Sequence, residues 1–182
     1  MCLLISYTIG SPGCSGGDVG EPPAEGAKST GISRERVGAI RVGLVIDSLL
    51  TEFVVLRDEE RTAIGGGDLD RFIAIAVNGD TVEVVPFGGR VRDIVLRSSR
   101  HLTAEGIGVG TTSTTMSRYQ GATAQFSDAG LVVNLSRYCG TDFIFEGALG
   151  ELGTVLTLDQ LAELGESQRV SVVVVRACLP GQ

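Results

Sequence analysis

Tryptophan is absent from this chain of 182 residues, and only 5% of the residues are aromatic. Because large rings are scarce, the hydrophobic core must be built from Val, Ile, Leu and Ala, within the 43% of residues that are hydrophobic. Val-rich runs combined with 26 glycines favour strands joined by tight turns over a helical bundle. The length fits one ordinary domain, or two small halves that share a core.

Positive charge is also scarce, with 15 Lys and Arg residues against 22 Asp and Glu residues. The formal net charge of −7 and the isoelectric point near 4.7 argue against a nucleic-acid partner, because phosphate binding needs clustered Lys and Arg. No apolar run reaches the roughly 18 residues that would span a bilayer. The sequence therefore predicts neither a nucleic-acid-binding protein nor a membrane-spanning helix.

Histidine occurs once, at His101, and the chain has no Cys-x-x-Cys pair, so the sequence offers no zinc site. A hydrolytic triad could be assembled only from His101, Asp93 and either Ser98 or Ser99. A nucleophile normally lies on a strained turn with its base supplied from elsewhere in the fold, and sequence neighbours at a strand end rarely face one another. We therefore interpret His101 as a solvated linker residue and expect no catalytic site and no cofactor.

Two carboxylate clusters could serve acid–base chemistry or bind a cation. One lies in the charge run 57–61 and the other in the glycine-rich stretch 65–70. Carboxylates beside glycines can ligate calcium, but this single copy lacks the number of ligands that the ion requires. We interpret both clusters as solvated turns and predict no metal site. The carboxylates concerned are Asp58, Glu59, Glu60, Asp68 and Asp70.

Residues 1–30 have the composition of a leader and a linker. Cys2 to Ile9 is apolar, whereas Gly10 to Thr30 has almost nothing to bury and is expected to stay disordered. An apolar run, a small residue, a Cys and a polar linker resemble the end of a bacterial lipoprotein signal peptide. The resemblance implies lipidation at Cys14. A plain disordered tail on a soluble protein is the alternative.

The remaining cysteines fit the lipoprotein interpretation. If Cys2 leaves with a signal and Cys14 carries lipid, Cys139 and Cys178 remain as an even pair. In an oxidising compartment these two could form a disulfide between a strand of the second half and the last strand. Two buried free thiols, which behave as small apolar side chains, are the alternative.

One pattern of short strand, glycine turn and helix start occurs twice. It runs through Gly38 to Gly43 and again through Glu105 to Thr112, and Ile40 and Ile107 are 67 positions apart. Apolar residues at i, i+3, i+4 and i+7 from Ile46 predict an amphipathic helix of about three turns after the first copy. After the second copy, Thr112 is predicted to cap a shorter helix.

Strands follow each copy of the pattern. Asn78-Gly79 is the strongest hairpin signal in the chain, because both residues accept positive φ. The run 171–176 is apolar enough to be buried on both faces, and we expect it to close a sheet edge. A turn or two of helix is predicted over 159–165. The other predicted strands are 39–42, 72–77, 81–87, 90–96, 107–109, 131–135, 142–146 and 152–158.

The turn motif Ile/Val-x-Val-Gly with a short helix and a meander, present twice, resembles the tandem modules of β-lactamase-inhibitor-like proteins and of small outer-membrane assembly lipoproteins. The run Thr-Ala-Glu-Gly-Ile-Gly-Val-Gly-Thr from Thr103, with Tyr119 and Gly121 after it, is similar to an uncharacterised group of secreted bacterial proteins. The resemblance covers about 36–158. It implies an α+β fold of two tandem strand-helix-meander modules, 36–98 and 102–177, with an antiparallel sheet and short helices.

The same features lead to a functional expectation. We expect a non-catalytic binding or accessory protein of the cell envelope, lipid-anchored or secreted, with a protein partner and with membrane contact only through the anchor. A proteinaceous inhibitor that blocks an extracellular enzyme with an exposed hairpin or loop is the alternative. A small hydrolase that uses His101 is the third hypothesis. The resemblance does not choose among them, because one scaffold hosts unrelated activities.

Overall fold

The computed structural model describes residues 31–178, and in this part of the chain the predicted antiparallel sheet with short helices is confirmed. The fold is mainly β, with a three-stranded and a nine-stranded sheet. No helix in the described range is long and apolar enough to cross a bilayer. The strands are β1 (Ile32–Ser33), β2 (Arg36–Val37), β3 (Ile40–Arg41), β4 (Val54–Thr62), β5 (Leu69–Val77), β6 (Asp80–Phe87), β7 (Arg90–Leu96), β8 (Ala122–Ser127), β9 (Gly130–Leu135), β10 (Thr141–Phe145), β11 (Val155–Leu156) and β12 (Val172–Val175). The helices are α1 (Ile46–Glu52), α2 (Ser113–Met116) and α3 (Leu158–Glu163), and Ser136–Tyr138 forms a 3-10 turn.

The last strand joins the two halves of the large sheet. The strand order is β11-β8-β9-β10-β12-β7-β6-β5-β4, so β12 pairs with β10 on one side and β7 on the other. The expected closing of a sheet edge therefore takes place at the centre of the sheet, where β12 covers the edges of both β7 and β10. All four valines of β12 are at most 1% exposed, and an all-apolar run covered on both faces is typical of the interior of a sheet.

The main core lies between one face of the large sheet and the short elements packed on it. Alternate residues of each strand point to this face, and each large apolar side chain that is fully buried contributes roughly 1.5–3 kcal/mol. The small sheet closes the core through Ile32, Val37 and Ile40, whose exposure is 3%, 0% and 0%. The helices and turns add Leu49, Met116, Tyr138 and Leu161.

A second, smaller apolar cluster lies on the opposite face of the large sheet. Ile64 in the β4–β5 loop and Ala129 in the β8–β9 turn pack against it. Gly65 lies next to Ala129, with 3.8 Å between the Cβ position of Gly65 and the Cβ of Ala129. Because β4 and β8 lie near opposite ends of the strand order, this contact requires a strongly curved sheet. The cluster consists of Phe72, Val85, Val95, Ile144, Val172 and Val174.

Helix α1 is shorter than predicted. It ends at Glu52, and Phe53 already has extended backbone angles (φ −117°, ψ 150°). The pair Val54-Val55 that begins β4 explains the early end, since β-branched residues favour strand geometry. The start at Val45 has no side-chain cap. Instead the amide of Ile46 donates to the carbonyl of Gly89 at 3.0 Å, so the β6–β7 turn performs the role of a cap.

The charge run 57–61, interpreted as a solvated turn, lies inside the edge strand β4. Its side chains pair with charges on β5 and β6: Asp58 lies 2.6 Å from Arg71 and Arg61 lies 2.5 Å from Glu83. The interpretation was wrong because charged residues are a common way to blunt an exposed edge strand, and such a strand looks like a polar loop in the sequence.

The second glycine pattern is a loop and not a strand. Within 102–112 the structure has only isolated bridges, at Leu102 with Gly108 and at Thr112 with Arg169. Thr103 organises the loop, because its carbonyl accepts from the Gly106 amide at 2.9 Å and its hydroxyl accepts from the amide of residue 107 at 3.1 Å. The predicted N-cap at Thr112 is confirmed: its hydroxyl accepts from the amide of residue 115.

One strand of the structure was not predicted, and another was predicted too long. Strand β8 was not predicted, because it follows the weak helix α2 without a turn signal that separates them. The strand predicted over 152–158 is reduced to β11, Val155–Leu156, on the far edge of the sheet. Helix α3 follows it, and Thr157 with Gln160 forms a complete capping box. The Thr-x-x-Gln pattern in the sequence is a recognisable signal for the start of a helix.

Candidate functional site

His101 is buried, with a residue exposure of 1%. It follows β7 and lies under the loop 102–112. A Cβ on Gly108 would stand 2.5 Å from the His101 carbonyl oxygen, so the loop can cover this residue only with glycine at that position. The ring Nε2 lies 3.2 Å from Oδ2 of Asp80. The interpretation of His101 as solvated was wrong, because its partner comes from another hairpin and no local pattern reports it.

Asp80 is the residue that sequence reasoning missed at this position. Its carboxylate accepts a hydrogen bond from the amide of Thr81 at 2.8 Å. Burial raises the pKa of Asp80, but hydrogen bonds from Ser98 and Thr81 and attraction to His101 and Arg100 outweigh it and bring the pKa below its ordinary value. The Asp80 carboxylate is therefore ionised at neutral pH, and it joins the start of β6 to the segment after β7.

The residues of the conceivable triad are only partly brought together. Ser98 forms a hydrogen bond with Asp80, and His101 lies beside the same carboxylate. Asp93 instead faces the other side of the sheet, next to the second apolar cluster. There Asp93 lies 2.9 Å from Nε of Arg92 and 3.4 Å from Nε of Arg176. The imidazole side chain has no exposed surface, so it is not presented to a substrate in solution.

Three carboxylates of the predicted clusters, Asp58, Glu59 and Asp70, are paired with arginines. Asp58 accepts two hydrogen bonds from Arg71, at 2.9 and 2.6 Å, and these bonds lower the pKa of Asp58 below its ordinary value. Asp70 accepts from Arg92, which raises the pKa of that guanidinium. No group of three or more His, Cys, Asp and Glu residues in the described part of the chain could hold a metal ion.

The structure joins Cys139 and Cys178 in a disulfide, with 5.2 Å between their Cα atoms. That separation lies within the usual range for such a bond. The bond ties the turn before β10 to the segment after β12. Because disulfides persist in oxidising compartments, it hints at an extracytoplasmic environment. Cys14 lies outside the described residues.

A groove of about 560 Å³ opens on the second face of the sheet, and we call it the sheet-face groove. Strands β8, β9 and β10 supply its base, the β4–β5 loop forms one wall, and the loop before β11 forms the other. Leu152 on that second wall is 65% exposed. The lining residues used below are Ile64, Gln125, Val132, Asn134, Asp142, Ile144, Leu152 and Arg176.

Polar groups in the sheet-face groove are held in fixed positions. Both oxygens of Asp142 are engaged, one by the Asn134 amide at 2.6 Å and one by Nη1 of Arg176 at 2.7 Å. Gln125 donates to the carbonyl of Gly153 at 3.2 Å, which fixes its side chain against the wall. Within residues 31–178, Nη2 of Arg176 and Oε1 of Gln125 make no hydrogen bond. The groove therefore offers a free donor and a free acceptor above an apolar floor.

Sequence reasoning could not locate this groove. Its residues come from five separate segments, and each one alone looks like an exposed position of an alternating strand or a loop. The alternation in β8 and β9, where Ala124, Phe126, Leu131 and Val133 are buried and the residues between them are not, is the signal that one face stays accessible.

The comparisons with known proteins show a fold and no family. No protein-family model matches the chain, and no curated protein matches it. A solved structure described as the uncharacterized protein YfeY from Escherichia coli is similar, with a TM-score of 0.54 at 18% identity over 81% of this chain and 99% of that chain. Resemblance to an uncharacterised bacterial protein is thus confirmed in fold, and nothing about activity follows from it.

Proposed function

We propose that this chain is an extracytoplasmic, non-catalytic binding protein that holds a segment of a protein partner in the sheet-face groove. The groove carries the proposal. Its floor of Val132 and Ile144 suits an apolar side chain, and the free donor of Arg176 and acceptor of Gln125 match the two hydrogen-bonding groups of a peptide unit. The curvature of the sheet supports the same role, because it gives an open face the depth of a cleft.

The state of the titratable residues supports a role without catalysis. A general base must reach within hydrogen-bonding distance of the proton that it takes, and His101 is enclosed. On β4 the hydrogen bonds from Arg71 hold Asp58 in its ionised state, and in the groove Arg176 forms an ion pair with Asp142. A hydrolase that uses His101 is the least supported of the three hypotheses.

We place the protein in the cell envelope, tethered through lipid on Cys14. The disulfide and the lipoprotein-like pattern before the linker support this location. Metabolic labelling with a fatty acid tests it: the parent chain is expected to incorporate label and Cys14→Ala to incorporate none, because the acylated thiol is gone. Cys2→Ala is the matched control and should label normally. Unchanged labelling of Cys14→Ala would exclude this residue as the anchor.

Partner binding in the groove is tested by affinity capture from envelope fractions. Gln125→Trp places a large ring over the groove and is expected to reduce capture of the partner at least tenfold. Gln120→Trp is the matched control, since Gln120 is also exposed but lies outside the groove, and it should capture as the parent does. Arg176→Gln, which removes the free donor, should reduce capture less. Equal capture by Gln125→Trp and the parent would reject the groove as the binding surface.

An inhibitor of an extracellular enzyme is the second candidate, and one hairpin favours it. Phe87 next to the β6–β7 turn is 73% exposed, and the Gly88-Gly89 turn is anchored to α1 through the Ile46 amide. A large ring on a fixed turn is the kind of group that fills a specificity pocket. In the same capture experiment, recovery of one stoichiometric hydrolase that is lost in Phe87→Ala and kept in Gln125→Trp would favour the inhibitor.

We also propose that 36–98 and 102–177 are two copies of one unit. The strand order supports this. From the centre of the large sheet, β7, β6, β5 and β4 follow one another outward on one side, and β12, β10, β9 and β8 do so on the other side. Each glycine turn forms the same two hydrogen bonds with residues at the start of, or just before, a central strand. On this proposal β12 is the counterpart of β7. The matching contacts are Gly43 N to Val91 O at 2.8 Å and Gly110 N to Val170 O at 2.7 Å, then Arg90 Nη1 to Gly43 O at 2.9 Å and Arg169 Nη1 to Gly110 O at 3.0 Å.

A further inference from the structure

The outer face of the three-stranded sheet is cationic. Its inward residues are buried in the main core, so the alternate residues Ser33, Arg36 and Arg41 must point outward, and all three are exposed. Arg36 and Arg41 are direct cross-strand partners. Arg34, in the β1–β2 turn, lines the same shallow groove of about 540 Å³. We call Arg34, Arg36 and Arg41 the arginine face.

The arginines of this face have no carboxylate partner in the described part of the chain. No ion pair joins Arg34, Arg36 or Arg41 to any Asp or Glu within residues 31–178. Glu35 also lines this groove, and its carboxylate accepts from the amide of Cys178 at 2.7 Å. Arg34 donates to Sγ of Cys178 at 3.0 Å, so the positive charge without a partner in the described range is that of Arg36 and Arg41. By contrast, the arginines of the second sheet face are held by carboxylates.

Two guanidinium groups at directly opposed strand positions repel each other and destabilise the pairing. In a chain with a net charge of −7, a local excess of positive charge is also opposite to the overall balance. Binding of an anion relieves the repulsion, and guanidinium groups hold phosphate through paired hydrogen bonds. Because the strand pairing already fixes the backbone of Arg36 and Arg41, binding of an anion restricts only their side-chain rotamers.

We propose that the arginine face docks on the phosphate groups of an anionic membrane surface. The inference rests on the proposed lipid anchor at Cys14, because only 16 residues separate that position from Gly31. Such a segment spans at most about 55 Å, so the first strand of the fold is held close to the bilayer. The arginine face is broad and shallow, which suits a planar array of headgroups better than a single enclosed anion.

The test replaces the natural anchor, so that its result does not depend on lipidation. The full chain with Cys2→Ser and Cys14→Ser carries an N-terminal histidine tag and is bound to vesicles that contain a nickel-chelating lipid. Dissociation is compared from phosphatidylcholine vesicles with and without phosphatidylglycerol. Each basic residue near an anionic surface contributes about a fivefold factor, so the chain should dissociate about a hundredfold more slowly from the anionic vesicles.

Arg36→Gln with Arg41→Gln is expected to lose about 30-fold of that preference. Arg57→Gln with Arg118→Gln removes the same charge from exposed positions elsewhere and should keep the preference. The proposal is overturned if the parent shows no preference, or if both pairs of substitutions reduce it equally. It is also overturned if inorganic phosphate abolishes the preference and chloride of equal ionic strength does not, because that result identifies a site for one small anion. Failure of Cys14 labelling alone would instead reject the anchor and leave this measurement standing.

Discussion

Replacing Cys139 and Cys178 together with serine is expected to lower the free energy of unfolding by about 4 kcal/mol. The two cysteines are 39 positions apart, and closing a loop of that length in the unfolded chain removes about this much conformational entropy in the chain-entropy model. The bond also fixes the end of β12, where Gly140 accepts from the Arg176 amide at 2.7 Å. Loss of the bond therefore loosens the strand that joins the two meanders.

Urea unfolding followed by circular dichroism measures this effect as a shift of the midpoint. Reduction of the parent chain should reproduce the loss, and Cys2→Ser with Cys14→Ser should leave the midpoint unchanged because it keeps the Cys139–Cys178 bond. Peptide mapping without reduction should recover the peptides of Cys139 and Cys178 as one linked species. A loss below about 1 kcal/mol, or separate peptides, would contradict the structure at this position.

Val173→Asp is expected to lower the free energy of unfolding by about 5 kcal/mol, which is comparable to the whole stability of many domains. Val173 is fully buried in the main core and pairs with Phe143 on one side and Leu96 on the other. A carboxylate there finds no charged partner on the adjacent strands, because both residues opposite it are apolar. The substitution also removes the apolar contact of a buried valine, roughly 1.5 kcal/mol or more.

Val155→Asp is the matched control for the central strand. Val155 is 65% exposed on the edge strand β11, so the same change should alter stability by no more than about 0.5 kcal/mol. Thermal unfolding of both variants beside the parent measures the difference. Equal, small effects of the two substitutions would mean that the last strand does not lie in the centre of the sheet.

The parts of the fold that sequence predicted well are those set by local chemistry. The Asn78-Gly79 turn forms with φ of 51° and 76° at its two residues, as the hairpin signal requires. Thr112 caps α2 because a hydroxyl at that position meets an exposed amide of the first turn whatever the rest of the fold does. Strands β5, β6 and β7 follow from alternation and turn residues alone.

The parts that sequence could not predict depend on contacts between distant segments. The continuous apolar run predicts that β12 is buried on both faces, but it does not show which strands flank it. The burial of His101 depends on Asp80, and the strand character of the charge run depends on partners such as Arg71. The sheet-face groove exists only because the sheet curves, and curvature is a property of the assembled strands.

The central position of β12 has a consequence for how the chain is made. A polypeptide that emerges from a ribosome or a translocation pore presents β12 after every other described strand. Until then, the neighbouring edges on β7 and β10 remain open, and the longest-range pairings of the sheet cannot form. Under the extracytoplasmic location proposed above, this order suits a chain that crosses a membrane in an extended state. The described sheet is completed only when its last strand has emerged, and the Cys139–Cys178 disulfide then fixes that strand in place.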